Sequence, residues 1–287
     1  MNAIAIVIND ITKSAGTERA VTNLANSLTK YFKIYIVSIY SSVGSYYPLD
    51  DKITCIHLKM SDVPQSFIKK FIHYGQLIKV IRKVISEQKI PCLLGTTHAI
   101  NTILPFTAIK NNTKTIGCEH LSYMAAPKTS RILRSIMYHF LSNVVVLTND
   151  DKKHYSFIDK KTVVIPNSIS FDSKIYSELS QKRIIAIGRL SHQKGFDILL
   201  DVATKLKPLA PDWSIHIYGD GELKDLLLDA IKQKELENYV FINPPTNNIK
   251  KEYLNSSIYL MTSRWEGLPM VLLEAQSFGL PIVSFSC

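Results

Sequence analysis

The sequence predicts an α/β protein with two domains, each built on a parallel β-sheet. Short apolar runs alternate with helix-period patterns along the chain, the order that produces strand–helix–strand units. In the second half, a strand, a glycine-containing loop and a helix follow one another three times, and such units place their loops at one edge of a sheet. With 287 residues and a hydrophobic content of 46%, the chain can bury a substantial core in two domains.

The first domain is predicted over residues 1–170 and the second over residues 181–287, with the polar, serine-rich segment 168–180 as the linker. Strand-like runs in the first domain lie at 3–8, 34–39, 53–58, 91–95, 114–118, 143–147 and 162–165. Those in the second domain lie at 184–188, 213–218, 239–242, 257–262 and 281–285.

Composition narrows the class of partner and the compartment. The formal net charge of +10 favours an anionic partner, and nucleic-acid-binding motifs are absent from the sequence, so we expect no nucleic acid. Four cysteines without a Cys-x2-Cys pair indicate a reducing compartment; they are Cys55, Cys92, Cys118 and Cys287. The N-terminal run lacks a basic leader and no run is long enough to cross a bilayer, so we expect a cytoplasmic protein, at most peripheral on a membrane.

Two glutamates eight positions apart, Glu266 and Glu274, form the most informative pattern. Gly267 permits a tight turn and Pro269 suits the first turn of a helix, so we expect Glu266 on a loop and Glu274 on the second helical turn. Carboxylates in this position accept hydrogen bonds from hydroxyl groups. The spacing alone would also fit an ordinary surface loop followed by a core helix.

The preceding loops supply charge of the opposite sign. Arg189 and Lys194 follow the strand at 184–188, and a glycine turn with Gly219 and Gly221 follows the strand at 213–218. Ligands of parallel sheets bind at the carboxyl ends of the strands, where these loops meet. Cations for a diphosphate beside carboxylates for hydroxyl groups predict a nucleotide-sugar site.

Together these motifs resemble family 4 of the glycosyltransferases, a retaining family with the GT-B fold that builds capsules, lipopolysaccharides and glycolipids. The resemblance extends to segments 14–20 and 164–168, which read Ser-Ala-Gly-Thr-Glu-Arg-Ala and Val-Ile-Pro-Asn-Ser. It implies two Rossmann-like parallel-sheet domains that face a cleft. It also implies metal-independent transfer of a hexosyl or N-acetylhexosaminyl unit, without a cofactor, from a UDP-sugar to a glycan or lipid-linked acceptor in cell-surface polysaccharide synthesis.

The resemblance also assigns roles to individual residues. Arg189 and Lys194 would stabilise the leaving diphosphate, while Glu266 and His120 would hold the donor sugar. The implied catalytic residues are His120, Glu266, Arg189 and Lys194, with no metal ligand. The implied donor-binding residues are Gly16, Glu18, Gly188, Gly219, Gly221, Gly267, Leu268 and Glu274, the last of these for the ribose. His98, which closes the preceding strand, is the alternative to His120, and Ala15 stands where family members usually have a further glycine.

Two basic segments predict amphipathic helices that could lie on an anionic membrane surface. One is the segment 66–88, and the other carries Lys128, Arg131 and Arg134 beside apolar residues of 132–137. Basic amphipathic helices bind anionic lipid, although each segment also fits an ordinary surface helix with its apolar side on the core.

Two other classes of function stay open from the sequence. A nucleotide-sugar epimerase of the same fold would share the donor pocket, and a non-catalytic remnant would bind donor or membrane without turnover. The remnant is considered because the family continues past the strand at 281–285 with further helices. We therefore expect a C-terminally truncated chain with an incomplete second domain and little activity.

Overall fold

The computed structural model describes residues 2–109, 111–169, 174–246 and 248–285. The chain divides into two compact units, Met1–Ser168 and Ile169–Cys287. Cys287 and part of the predicted linker, 170–173, lie outside the described residues.

Unit 1 alternates strands with helices from its first strand onward. Its strands are β1 (Ala3–Ile8), β2 (Lys33–Ser38), β3 (Thr54–His57), β4 (Cys92–Gly95), β5 (Lys114–Cys118), β6 (Asn143–Val146) and β7 (Thr162–Val164). Its α-helices are α1 (Gly16–Leu28), α2 (Phe67–Gln88), α3 (His98–Ala108), α4 (Lys128–Met137) and α5 (Asn149–Lys153).

Among the described residues, the strands of unit 1 form one parallel seven-stranded sheet in the order β3-β2-β1-β4-β5-β6-β7. The strand order reverses between β1 and β4, the place where open α/β sheets bind ligands. In β1, Ala5 and Val7 belong to one apolar core and Ile6 and Ile8 to another on the opposite face. This burial on both faces explains why the strand is continuously apolar.

Unit 2 repeats the plan on a smaller scale. Its strands are β8 (Arg183–Ile187), β9 (Ser214–Tyr218), β10 (Val240–Asn243), β11 (Ile258–Met261) and β12 (Ile282–Ser284). Its helices are α6 (Phe196–Leu206), α7 (Lys224–Gln233), α8 (Ile249–Leu254) and α9 (Met270–Ser277). Within the described part of the chain the sheet is parallel, in the order β10-β9-β8-β11-β12, and the order reverses between β8 and β11.

The fold class predicted from the sequence is confirmed, because both units are Rossmann-like parallel-sheet domains. Each predicted strand is found within about one residue of its predicted bounds. Strands buried on both faces are read from apolar runs alone, so their positions depend little on tertiary contacts.

One prediction about the helices is wrong. Arg134, on α4, does not face outward for lipid, because its side chain is only 1% exposed. It donates to the Tyr155 hydroxyl at 2.9 Å and lies 3.9 Å from the Glu119 carboxylate. A buried guanidinium needs a carboxylate and hydrogen-bond acceptors, and the cluster around the end of β5 supplies both. None of the helices described in the structure has the length and apolarity to cross a membrane.

Candidate active site

The strand reversal of unit 2 brings together the two loops that carry the predicted cations and carboxylate. The loop after β8 contains Arg189 and Lys194, and the loop after β11 contains Glu266. Both strands run parallel and are neighbours, so both loops leave the same edge of the sheet.

Lys194 and Glu266 form an ion pair at this edge. The Lys194 Nζ donates to Glu266 Oε1 at 2.6 Å, and the two side chains are only 19% and 10% exposed. The Lys194 stem lies over Gly188, since a Cβ built at Gly188 would stand 3.0 Å from the Lys194 Cδ. The absence of a side chain at Gly188 therefore allows the lysine to lie flat and reach the carboxylate.

Gly219 and Gly221 permit the loops after β8 and β9 to approach closely. A Cβ at Gly219 would stand 1.9 Å from the Gly188 carbonyl oxygen, and one at Gly221 would stand 2.6 Å from the Leu190 carbonyl oxygen. Leu190 in turn donates its N–H to the Asp220 carbonyl at 2.9 Å. These glycines have a steric reason for their position, whether or not a ligand also approaches them.

A second set of contacts fixes the two loops to each other. Arg264 pairs with Asp197 through two hydrogen bonds of 2.9 and 2.5 Å and donates from Nη1 to the His192 carbonyl at 2.8 Å. The Arg264 N–H donates to the Gln193 carbonyl at 2.8 Å. We call these contacts of Arg264 with 192, 193 and 197 the Arg264 clasp. Its hydrogen bonds lower the pKa of Asp197, so the carboxylate stays ionised.

The backbone around Gly195 tightens the same junction. Gly195 has a φ of +62°, and a Cβ there would stand 2.2 Å from the Thr262 carbonyl oxygen. The Thr262 hydroxyl donates to the Gly195 carbonyl at 2.8 Å. Glycine is therefore required at 195 by conformation and by space.

Arg189 differs from Lys194 in its surroundings. Its side chain is exposed, and within the described ranges no carboxylate lies within ion-pair distance of it. Gly267 and Leu268 are half-buried in the loop that follows Glu266. The loop after β8 thus carries an exposed cation, Arg189, and a lysine paired with Glu266.

Glu274 lies on the second turn of α9, as predicted, but it is fully buried. It is 0% exposed, and the Tyr253 hydroxyl donates to its Oε2 at 3.0 Å. The ribose role of Glu274 therefore remains a prediction.

In unit 1, His120 follows β5 and lines a cavity of about 260 Å³. Burial lowers its pKa to about 4, partly offset by a hydrogen bond with the Asn167 side chain. Its Nδ1 is buried and has no hydrogen-bond partner among the described residues. The ring is therefore neutral near pH 7 and retains one nitrogen for a ligand.

The residue before it, Glu119, anchors this end of β5. Its carboxylate accepts from Asn101 Nδ2 at 2.8 Å and from the hydroxyl of Tyr138. Burial and the charge of Glu119 raise the pKa of Tyr138 well above its ordinary value, so the phenol stays protonated and donates.

The other unit 1 candidates lie at the β1–β4 reversal. Gly16 begins α1 with open space where a Cβ would stand, and Glu18 is buried in the first helical turn. His98 begins α3, and burial lowers its pKa. His120 and His98 thus follow adjacent strands, β5 and β4. The assignment of the sugar-binding role to His120 rather than His98 stays a prediction from the resemblance.

Sequence reasoning missed Arg264, Tyr253 and Glu119. An acid three residues after Lys194 and a base two residues before Glu266 were readable as an opposite-charge pair on neighbouring loops. Tyr253 lies on α8, and no local pattern links it to Glu274. In the parts of the chain that the structure describes, no three His, Cys, Asp or Glu side chains converge as metal ligands.

Comparisons with known proteins show the family of this chain. Residues 169–287 match the model of the glycosyl transferases group 1. An uncharacterized glycosyltransferase of Haemophilus influenzae is 33% identical over 100% of this chain and 81% of its own length. The amylovoran biosynthesis glycosyltransferase AmsD of Erwinia amylovora is 32% identical over 100% of this chain and 82% of its own length.

A third relative has a fully specified activity in its name. It is the Campylobacter jejuni GalNAc-α-(1→4)-GalNAc-α-(1→3)-diNAcBac-PP-undecaprenol α-1,4-N-acetyl-D-galactosaminyltransferase. It is 28% identical over 95% of this chain and 76% of its own length.

Solved structures share the fold at low sequence identity. The pneumococcal O-GlcNAc transferase GtfA, in complex with UDP and GlcNAc, has a TM-score of 0.80 at 15% identity, covering 99% of this chain and 84% of that one. Anabaena HepE, in complex with UDP and glucose, has a TM-score of 0.76 at 16% identity, covering 99% and 80%. The fold is thus that of GT-B glycosyltransferases, and with relatives above 30% identity along its whole length, the chain belongs to the group 1 glycosyltransferases.

Proposed function

We propose that this protein is a retaining, metal-independent family 4 glycosyltransferase with a UDP-sugar as donor. Its substrate would be a hexosyl or N-acetylhexosaminyl donor, and its acceptor a glycan or lipid-linked glycan of cell-surface polysaccharide synthesis. The observation that carries the proposal is the Lys194–Glu266 pair at the strand reversal of unit 2, with the exposed Arg189 on the same loop as Lys194. The Lys194 ammonium attracts phosphate and the Glu266 carboxylate accepts hydrogen bonds from sugar hydroxyls. Both lie at the edge where parallel sheets of this kind bind nucleotides.

The proposed reaction breaks the bond between the anomeric carbon and the diphosphate oxygen. Arg189 and Lys194 stabilise the negative charge that develops on this leaving oxygen. The acceptor oxygen forms its bond on the same face of the sugar, and its proton passes to the leaving phosphate. Glu266 accepts from donor hydroxyls, while the neutral His120 ring supplies a further hydrogen bond to the sugar.

The relatives and neighbours support the substrate classes. The Campylobacter relative acts, by its name, on a glycan carried by PP-undecaprenol, and the Erwinia relative takes part in amylovoran biosynthesis. Both neighbouring structures contain UDP with a sugar. Free thiols at Cys55, Cys92 and Cys118 agree with a reducing compartment, so the proposal places the reaction on the cytoplasmic side.

A lipid-linked acceptor requires access to a membrane surface, and α2 presents a face suited to it. Its first two turns expose four large apolar side chains, Phe67, Ile68, Phe71 and Ile72, which we call the α2 apolar face. Lys69, Lys79 and Lys83 are exposed on the same helix, whose first turn has no acidic residue. Apolar side chains flanked by lysines fit the interface of an anionic bilayer.

The neighbouring helices extend this surface. Both α2 and α4 pack against α3, and α4 exposes Ile132, Leu133 and Ile136. Because Arg134 is buried, the basic contribution of α4 comes from Lys128 and Arg131. We propose peripheral binding to anionic membrane through these helices.

The function is tested by a thermal-shift screen of UDP-sugars, followed by turnover with lipid-linked glycan acceptors. We expect stabilisation by UDP and by one class of UDP-hexose or UDP-N-acetylhexosamine, then release of UDP with a new glycoside of retained configuration. Addition of EDTA should leave turnover unchanged. A free sugar or an epimerised nucleotide sugar as product would replace the proposal with the epimerase alternative. Donor binding without any turnover would replace it with the non-catalytic alternative.

A further inference from the structure

The ion pair at the donor edge brings a negative charge close to any phosphate that binds there. Lys194 Nζ lies 2.6 Å from Glu266 Oε1, and both side chains are largely buried. A phosphate oxygen that accepts from the same ammonium lies about 2.8 Å from it. The phosphate and the carboxylate oxygens can then be no more than about 5.4 Å apart.

This proximity affects the donor and the leaving product differently. In a UDP-sugar the terminal phosphate is esterified to the sugar and joined to the inner phosphate by an anhydride bond, so it carries a single negative charge. The sugar hydroxyls can donate to Glu266. In UDP the terminal phosphate gains a second charge with a pKa of about 6 and brings no hydroxyl donor. The carboxylate therefore repels UDP more strongly than it repels the intact donor.

Contacts within and between the two loops hold Lys194 in its ion pair with Glu266. Its stem rests on Gly188, and the Arg264 clasp and the Thr262–Gly195 hydrogen bond hold its loop against the loop of Glu266. A phosphate therefore meets a cation already neutralised by a carboxylate, while Arg189 is an exposed cation of the same loop.

We propose that Glu266 sets the preference of the site for intact UDP-sugar over UDP, and so promotes release of the product. This role rests on the proposed function and adds a second task to the residue that accepts from sugar hydroxyls. Glu266 acts in this role through its charge near the diphosphate. The effect can therefore be measured in the binding of UDP without a sugar.

The test is calorimetric titration of UDP, UDP-glucose and UDP-N-acetylglucosamine into wild type and Glu266→Gln at pH 6 and pH 8. Glutamine keeps the shape of the side chain and removes its charge. We expect UDP to bind about tenfold more tightly to Glu266→Gln at pH 8. The gain should be smaller at pH 6, and the UDP-sugars should gain nothing or lose affinity.

Two variants control for the position and the sign of the charge. Glu252→Gln removes a carboxylate of similar burial from an ion pair of 2.8 Å with Arg183 in the same unit, and it should leave UDP affinity unchanged. Arg189→Gln should weaken the binding of UDP, whereas Glu266→Gln should strengthen it.

The outcomes separate this inference from the proposed function. If wild type binds UDP but Glu266→Gln binds it equally or more weakly, Glu266 does not select against product and only the inference is overturned. If Glu252→Gln strengthens the binding of UDP as much as Glu266→Gln does, the effect comes from the overall charge of the protein, and the inference is again overturned. If wild type binds neither UDP nor any UDP-sugar, the donor assignment itself is lost, and the inference with it.

Discussion

At the residue scale, His120 makes the stability of unit 1 depend on pH. Burial lowers its pKa to about 4 from an ordinary value of 6.5. Between these values the unfolded chain takes up the proton and the folded chain does not, so the stability of unit 1 falls as the pH falls from 6.5 to 4. The shift corresponds to at most about 3 kcal/mol.

We predict that His120→Gln flattens this loss of stability between pH 6.5 and 4. Urea unfolding at a series of pH values, followed by hydrogen exchange in peptides of β5 and β6, reports on unit 1 alone. His192→Gln, on an exposed loop of unit 2, controls for loss of a histidine as such. A slope in His120→Gln equal to that of wild type would mean that the His120 ring is already solvated.

Residue identities at the site were predictable to different degrees. Lys194 and Glu266 were predicted on one sheet edge because each follows a parallel strand, and the structure pairs them. The burial of Glu274, which accepts from Tyr253, and of Arg134, which lies near Glu119, was not predictable. Both depend on contacts between separate elements, α8 with α9 and α4 with the end of β5, and a charge pattern read along one helix does not reveal them.

At the element scale, the two loops of the donor edge depend on the Arg264 clasp. Strand positions follow from apolar runs, but contacts between loops arise only once β8 and β11 are neighbours. An exposed ion pair adds only about 0.2–1 kcal/mol to stability, so the clasp matters more for position than for folding.

We predict that Asp197→Asn weakens UDP binding by about threefold or more, because Lys194 is three residues away on the loop that the clasp holds. Asp201→Asn is the matched control, since Asp201 is also exposed on α6 and pairs with Lys234 at 2.8 Å outside the site. Calorimetry and the thermal midpoint of both variants are the measurements. Equal UDP affinities in the two variants, with equal midpoints, would show that the clasp does not position Lys194.

At the scale of the whole molecule, the net charge of +10 and the α2 apolar face act together. Fully burying a Phe side chain contributes about 1.5–3 kcal/mol, and lysines near an anionic surface add a salt-dependent attraction. We therefore predict that the protein binds vesicles containing anionic lipid and that added salt weakens the binding.

The double variant Phe67→Ser/Phe71→Ser should reduce vesicle partitioning by about tenfold or more in a flotation assay. Leu209→Ser is the control, because Leu209 lies in unit 2 and is 81% exposed, similar to the 83% and 77% of Phe67 and Phe71. If both variants partition as wild type does, α2 is an ordinary surface helix.

The close approach of Gly188 and Gly219 limits how such a site could be diversified. Any side chain at 219 would meet the 188 carbonyl at 1.9 Å, and any at 188 would press on the Lys194 stem at 3.0 Å. A mutational library aimed at new donor sugars should therefore keep both glycines constant. Variation belongs at the half-buried position 268 and at the exposed position 220, which lie on loops of the same sheet edge and already carry side chains.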